Sequence, residues 1–567
     1  PVATPVAMPA RDAGALPGAA PAATRADGGS PAGEAPPVPS TGPQREFYDA
    51  TKAFGAAPRM RVTRGDDLTP LQRARLDAFV RRYTARTRGS KAHAEAHRAG
   101  MADPRVVTGF RPAVKELVYP IVVERSAGAR LWDVDGNEYV DVLAGFGSNL
   151  LGWTPPMVTE AVRAQLERGW EVGPQHPLAG EVATLVREIT GAERVAFCNT
   201  GSEAVLGAIR IARTVTGRPT VALFAGSYHG INDEVIVRGM RGQRAYPAAP
   251  GIMPASAEHV LVLEYGSEES LRILRERAGE IAAVLVEPVQ SRRPDLQPVD
   301  FLHALRALTA ETGIVYVWDE IVTGFRASLR GAQGLFGVEP DLTTYGKIVG
   351  GGLPIGVIAG KREYMDALDG GAWRFGDDSV PEVGVTYFAG TFVRHPLALA
   401  AARATLHHLR EQGPALQEGL TARTAAMAAE LDAVFREAGV PLAVRHFASL
   451  WRVAYTAEQP HGDLLFYHLR ERGIHVYEQF PCFLTAAHGE AEVARIVAAF
   501  RGAIAELQQG GFLPGTPAVA APAATDPNAP PLPGARLGRD ADGSPAWFVP
   551  HPERPGAYVR LGAGAGA

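Results

Sequence analysis

Several apolar runs in this 567-residue chain end in side chains able to do chemistry. Thr200-Gly201-Ser202-Glu203-Ala204 follows RVAFCN and opens the helical run AVLGAIRIART. Small hydroxylated residues at a helix start offer free N–H groups and the positive end of the helix dipole to an anion. Taken alone, a plain Ser or Thr helix cap is the better explanation. Ser227-Tyr228-His229-Gly230 follows TVALFAG and presents an aromatic ring just beyond a strand, where core packing is the simpler explanation. Glu287 and Gln290 end AAVLVEPVQ, and Asp319-Glu320 ends IVYVWDE. A carboxylate at that place could cap a helix or pair with a cationic ring nitrogen. Lys347 ends LTTYGK and is followed by Gly350, Gly351 and Gly352. This is no P-loop, which needs Ser or Thr after its lysine, because Ile348 follows Lys347. A surface lysine beside a turn is the alternative.

These side chains meet only if strands carry them to one edge. Between about 180 and 360, helical patterns alternate with seven short apolar runs: RVAFCN, TVALFAG, HVLVLEY, AAVLVEPV, IVYVWDE, LTTYGK and GVIAG. That alternation predicts an α/β fold with a mostly parallel seven-stranded sheet covered on both faces. Ligands of such sheets bind outside the carboxyl ends of the strands. An anion site, an aromatic face, a carboxylate and a lysine on one edge suit pyridoxal 5'-phosphate, which brings a phosphate, a flat ring, a ring nitrogen and an aldehyde.

The motifs NTGSEA, SYHG, VEPVQ, WDEIVTGFR, YGKIVGGGLPIGVIAG and GTFVRHPLA occur in that order. With them the chain resembles the class III, fold type I pyridoxal-phosphate aminotransferases over roughly residues 105 to 508, and within that class the glutamate-1-semialdehyde aminomutase branch. The resemblance implies that Lys347 is the Schiff-base lysine and proton shuttle, that Asp319 holds the ring nitrogen protonated, and that Thr200, Gly201 and Ser202 bind the phosphate. It further implies that Tyr228 stacks on the ring with His229 beside it, that Ile321 packs the opposite face, and that Gln290 lies near the ring hydroxyl with Glu287 in the same site. Glu203 is implied as a supporting residue. Thr391 of GTFVRHP would reach the phosphate of a neighbouring subunit, which implies a homodimer. FRPAVKELVYPIVVERSAGARLWDVDGNEYVD, EPVQSRRPDLQP and FGDDSVPEVGVTYFAGTFVRHPLALAAA resemble, more narrowly, the aminotransferase domains embedded in polyketide and nonribosomal-peptide synthases. The implied reaction moves an amino group from an amino acid donor to an oxo group, at the β-carbon, of an acyl chain tethered to a carrier protein. A free-standing aminomutase acting on a small amino aldehyde and a noncatalytic interaction module are the alternatives. A decarboxylase or racemase would share the cofactor contacts. The chain departs from the class at EPVQSRRP, where many relatives place glycine after the glutamine. Arg292 and Arg293 therefore stand near the expected substrate mouth, with Arg394 a weaker candidate, and a solvated turn is the competing reading.

Fifty-seven basic against 61 acidic residues leave a net charge of −4, which argues against a nucleic-acid footprint or a polybasic membrane anchor. Two cysteines, Cys198 and Cys482, exclude a disulfide framework and suit a reducing, cytoplasmic setting. No run approaches the roughly 18 apolar residues of a membrane span, and the first residues lack the pattern of a signal peptide. Residues 1–45 and 511–535 are Pro/Ala-rich and read as linkers to neighbouring synthase domains. Between them the expected order is a helical extension (46–105) opened by the Thr69-Pro70 cap, and a first part of a small α+β domain (106–170) holding a hairpin that turns at Asp135-Gly136. The cofactor-binding large domain (171–395) and the rest of the small domain (396–510) follow. Residues 536–567 are expected to be an extended tail leading to the next module.

Overall fold

The computed structural model describes residues 53–55, 68–107, 110–240, 244–515, 536–539, 545–550 and 558–560. All seven apolar runs are strands: β1 (Arg194–Cys198), β2 (Thr220–Phe224), β3 (Val260–Leu263), β4 (Ile281–Val286), β5 (Val315–Asp319), β6 (Leu342–Gly346) and β7 (Gly356–Gly360). They make one sheet in the order β1-β7-β6-β5-β4-β2-β3. Neighbours run parallel except at β7, which is antiparallel to both β6 and β1. The cause is the short 347–355 connection between β6 and β7, since a parallel return needs a crossover of a dozen or more residues. Every residue of β4, β5 and β6 is buried, as expected for strands covered by helices on both faces.

Register brings the strand ends level. Asp319 pairs with Thr344, Gly346 with Gly356, and Gly356 with Cys198. The last residue of β5, the lysine just past β6 and the turn just past β1 therefore share one edge. Gly201–Thr216, the helix that follows β1, packs across β7, β6 and β4 and closes one face of the sheet.

The smaller half is assembled from two distant stretches of chain. Val123–Ala127, Arg130–Asp133 and Glu138–Asp141 form an antiparallel meander. Its Gly136 turn lies at φ +80°, the left-handed region that favours glycine. Ile474–His475 adds to this meander in parallel, next to Glu138–Asp141. Helices Pro396–Gln412, Ala415–Glu437 and Glu490–Gln509 and the strand pair Leu442–Phe447/Leu450–Tyr455 supply the rest.

The N-terminal helix is divided. Thr69 and Gln72 form a capping box for Pro70–Arg86, and a second helix, Arg88–His97, starts after Thr87. The Thr87 hydroxyl bonds back to the Tyr83 carbonyl (2.8 Å) and contacts the Tyr119 hydroxyl (2.6 Å), while the hairpin's Asp135 accepts from the Gly89 amide (2.6 Å). One carboxylate thus sits in the hairpin turn and caps a helix from another part of the chain.

Two expectations are corrected. Ala53–Gly55, inside the stretch read as helical, is a strand paired antiparallel with Val237–Met240. Residues 536–560, read as an extended tail, contain three antiparallel strands, Arg536–Arg539, Pro545–Pro550 and Tyr558–Arg560, bonded to one another. Gly and Pro break the alternation that would mark such strands in sequence. The linker segments 1–45 and 516–535 lie outside the described residues.

Candidate active site

Lys347 leaves β6 with φ at +48°, a conformation that costs a non-glycine residue on the order of 1–3 kcal/mol. Strain of that kind persists where the surroundings force it, and the glycine run is part of what does so. Gly351, at φ +56°, ends the short turn Lys347–Gly350, and a Cβ there would lie 2.5 Å from Thr405 Oγ1 and 3.2 Å from Val158. Two helices press directly on the backbone after the lysine. Lys347 is mostly covered, and burial pulls its ammonium pKa below the usual lysine range. The nearby charges of Asp319 and Glu287 oppose that pull, and the Arg326 charge adds to it.

Asp319, at the end of β5, is buried. Its Oδ2 contacts His229 Nδ1 at 2.8 Å and its Oδ1 accepts from the Ile321 amide at 3.1 Å. His229 is buried too, and its Nε2 has no partner among the described residues. Glu287 accepts from the amides of Tyr228 (3.0 Å) and Ser291 (2.8 Å), so its carboxylate fastens the aromatic turn to the turn after β4. Burial raises the Glu287 pKa, and those two amides lower it in part. Gln290 donates to the Ala225 carbonyl (2.9 Å), leaving its Oε1 buried and unpartnered. Tyr228 keeps 44% of its surface exposed beside these buried groups.

At the helix start the Thr200 hydroxyl accepts from the Glu203 amide (3.2 Å), and the Glu203 carboxylate accepts from the Asn199 amide (2.6 Å). Both side chains are used in capping, which leaves the first amides, those of Gly201 and Ser202, facing the site edge. Ile321 lies against this start: a Cβ on Gly201 would stand 2.7 Å from Ile321 Cδ1, and one on Gly346 would stand 3.2 Å from the same atom. Thr200, Gly201, Ser202, Tyr228, His229, Glu287, Gln290, Asp319, Ile321 and Lys347 therefore meet at one edge of the sheet. Thr391 stands apart on an exposed stretch.

The three arginines expected at a mouth separate. Arg394 is exposed and donates to Gln175 (2.8 Å). Arg292 and Arg293 are half-buried, and the Arg292 guanidinium stands 5.6 Å from the centre of the Tyr228 ring.

Sequence reasoning missed Arg326 and Arg452. Arg326 is fully buried, with no carboxylate partner among the described residues. It donates to Val322 O (3.0 Å), Ser449 Oγ (2.8 Å) and Gly147 O, and lies 4.5 Å from the Phe483 ring centre. Burial pushes its pKa down to about 9. It ties the loop after Asp319 to two segments of the smaller half. Its signal was its place in WDEIVTGFR. Arg452 signalled itself as a charge inside the apolar run SLWRVAYTA.

The site can be tested for the cofactor that the motifs imply. A buried acceptor (Gln290 Oε1), an unpartnered imidazole nitrogen bonded through its ring to a buried carboxylate, free helix-start amides and an amine of lowered pKa fit its hydroxyl, ring, phosphate and aldehyde in turn.

Comparison with known proteins agrees. Residues 112–485 match the family model "Aminotransferase class-III". A glutamate-1-semialdehyde 2,1-aminomutase of Desulfitobacterium hafniense is 36% identical over 409 residues, covering 68% of this chain and 90% of that protein. Among solved structures, a transaminase with pyridoxal phosphate bound is 29% identical at a TM-score of 0.67, covering 75% of this chain and 99% of the other. A β-phenylalanine aminotransferase of Variovorax paradoxus is 28% identical at a TM-score of 0.66, covering 78% and 100%. A fold type I sheet with a lysine, a buried carboxylate and an aromatic at its carboxyl edge, matched by that family over most of its length, means that this chain belongs to the class-III aminotransferases and is a pyridoxal-phosphate enzyme.

Proposed function

We propose that the enzyme transfers an amino group from an amino acid to an oxo group of an acyl chain tethered to a carrier protein, as one module of a polyketide or nonribosomal-peptide synthase. The observation that carries this reading lies beyond the catalytic body. The family match ends at residue 485 and the last helix of the body at Gln509, after which a Pro/Ala-rich stretch leads to a second small β unit between Arg536 and Arg560. That organisation suits a module joined to others. The likeness to EPVQSRRPDLQP of synthase-embedded aminotransferases points the same way. A second reading, an aminomutase acting on a small amino aldehyde, is favoured by the 36% identity to the Desulfitobacterium enzyme.

When bound, the cofactor supplies a reactive aldehyde and an electron-withdrawing ring. The residues around it take distinct parts. Lys347, its amine favoured in the neutral form by burial, would hold the aldehyde carbon and move protons at its Nζ. Asp319, oriented by His229 and the Ile321 amide, would hold a proton at the ring nitrogen. Tyr228 and Ile321 would flank the ring, and Gln290 Oε1, buried and without a partner among the described residues, would accept from its hydroxyl. The Gly201 and Ser202 amides would bind the phosphate, and Thr200 and Glu203 cap the helix that presents them. Glu287 positions Tyr228 by its amide.

A homodimer completes the assignment, with Thr391 serving the neighbouring subunit's phosphate. Its support is the stretch around Thr391, where Phe375 is 93% exposed, Tyr387 80% and Phe392 58%. Apolar side chains so exposed mark an interface.

The test is to incubate the protein with oxoacyl-carrier substrates and amino acids and to weigh the acyl chains. Replacement of the oxo oxygen by an amino group on the carrier-bound chain supports the proposal. Conversion of glutamate-1-semialdehyde with no change in any carrier-bound chain would replace it by the second reading. Lys347→Ala should remove the lysine-linked visible absorbance and abolish turnover. Substantial remaining transfer would take Lys347 out of its role.

A further inference from the structure

Two guanidinium groups stand beside the site with no carboxylate paired to them among the described residues. The turn after Gln290 is fixed by the Arg293 amide donating to the Gln290 carbonyl (2.8 Å) and the Ser291 amide donating to Glu287 (2.8 Å). Arg292 is held there with its guanidinium 5.6 Å from the Tyr228 ring centre. Arg452, on the strand Leu450–Tyr455 of the smaller half, donates from one guanidinium nitrogen to the Arg292 carbonyl at 2.9 Å. The two charges are thereby brought together from segments 160 residues apart.

Neither arginine has a carboxylate within ion-pair distance among the described residues, although both are half-buried. The Glu287 carboxylate acts on Arg292 electrostatically but already accepts from two backbone amides. Arg452 Nε is buried with no acceptor. Burial lowers both pKa values, and the Arg292 charge lowers that of Arg452 further. Partly desolvated, mutually repelling cations with an unmet donor are costly unless something anionic joins them. A planar fork of donors suits a carboxylate, which it can bind through two parallel hydrogen bonds. Arg292 faces the Tyr228 ring, and the next residue, His229, contacts Asp319, so an anion held by Arg292 lies close to the site edge.

We propose that Arg292 and Arg452 form the subsite for a carboxylate of the amino donor, so that the enzyme takes its amino group from amino acids and not from simple amines. The proposal rests on the amino-transfer reading above and extends it to the donor. The same anionic chemistry could come from the phosphodiester of a carrier arm, and the experiment separates the two.

The experiment uses the holoenzyme and the variants Arg292→Gln, Arg452→Gln and Arg452→Lys. Glutarate, an unreactive dicarboxylate, is titrated by calorimetry, and the two half-reactions are followed separately. The donors are L-glutamate, L-alanine and ethylamine, and the acceptor is an oxoacyl carrier. Each glutamine variant should weaken glutarate binding about ten- to a hundredfold, the range for losing a hydrogen bond to a charged group. KM for the amino acids should rise in step, ethylamine should react as in the wild type, and Arg452→Lys should recover part of the loss. Unchanged glutarate affinity in the glutamine variants, or equal slowing of ethylamine and the amino acids, would overturn the proposal. A loss confined to the carrier-bound acceptor would overturn it in favour of the phosphodiester. If Arg452→Gln fails to fold, Arg292→Gln on the surface turn gives the same readings. If the wild type transfers no amino group at all, the amino-transfer reading falls while the glutarate titration still decides whether the carboxylate subsite exists.

Discussion

Replacing Gly201 by alanine pits two effects of opposite sign against each other. At the first position of a helix, alanine is favoured over glycine by up to about 1 kcal/mol, and Gly201 has no left-handed backbone to protect. Against this, the added Cβ would lie 2.7 Å from Ile321 Cδ1, 3.1 Å from Cγ1 and 3.2 Å from Cγ2. Carbon atoms pack at about 3.5–4.0 Å, so Ile321 must retreat by about 1 Å. It has little freedom to do so. Its side chain is β-branched and stiff, the same Cδ1 sits 3.2 Å from where a Gly346 Cβ would be, and its amide is bonded to Asp319. Overpacking of this kind costs about 1–3 kcal/mol, so crowding wins and the variant is destabilised. The displacement also drags on Asp319, and a misplacement of about 1 Å near a reacting centre can cost on the order of 100-fold in rate. Ile321→Val deletes Cδ1 and should cost about 0.5–1.5 kcal/mol by itself. Combined with Gly201→Ala it removes the closest clash, so the pair should be less destabilised than the sum of the singles. Urea unfolding of the four proteins measures the coupling, and absorbance titration of cofactor into each apoprotein measures retention. Strict additivity within about 0.5 kcal/mol, or a Gly201→Ala protein more stable than wild type, would refute the placement of Ile321 against the helix start.

Asp319→Asn should keep the cofactor, read by visible absorbance, and lose about 10²–10³-fold in turnover, because an amide brings no charge to hold the ring proton; near-normal turnover would refute its role. Glu320, buried and turned away toward the Thr323 hydroxyl and the amides of Ala332 and Gln333, has its pKa pushed up to about 7 by burial against those three donors. Because that value lies above the unfolded one, its protonated form favours the native state: the contribution is complete below about pH 4.5 and is lost as pH rises through 7, a fall of about 3 kcal/mol. Glu320→Gln should flatten that part of the stability profile in urea unfolding, and an unchanged slope would dismiss the assignment. Light scattering should return twice the chain mass, as obligate interfaces of about 2,000 Å² or more require, and Phe392→Asp should lower it; an active wild-type monomer would exclude a shared site.

The edge that gathers the site was legible because each strand announces itself as a short apolar run and the functional residues stand at or just beyond its end. Asp319 and Lys347 were found that way, and the register then set them level. Which of two adjacent acids faces the ligand was not legible from the run alone. Alternation sends neighbours on a strand to opposite faces, and only the fold shows Asp319 turned to His229 and Glu320 turned to the Ala332 amide. The strained Lys347 backbone was equally hidden, since the helices that press on Gly351 come from residues 156–168 and 396–412. The three strands of 536–560 escaped because Gly538, Pro545 and Pro550 interrupt the alternation that would mark them in sequence. Arg452 is different in kind. A charged residue in the middle of SLWRVAYTA contradicts its strand, and charged side chains are almost never buried unless paired. The sequence therefore carried the signal that this position needs an anion. What it lacked was the fold that sets Arg452 on the carbonyl of Arg292, whose guanidinium faces Tyr228, and with it the reason the anion belongs to the substrate.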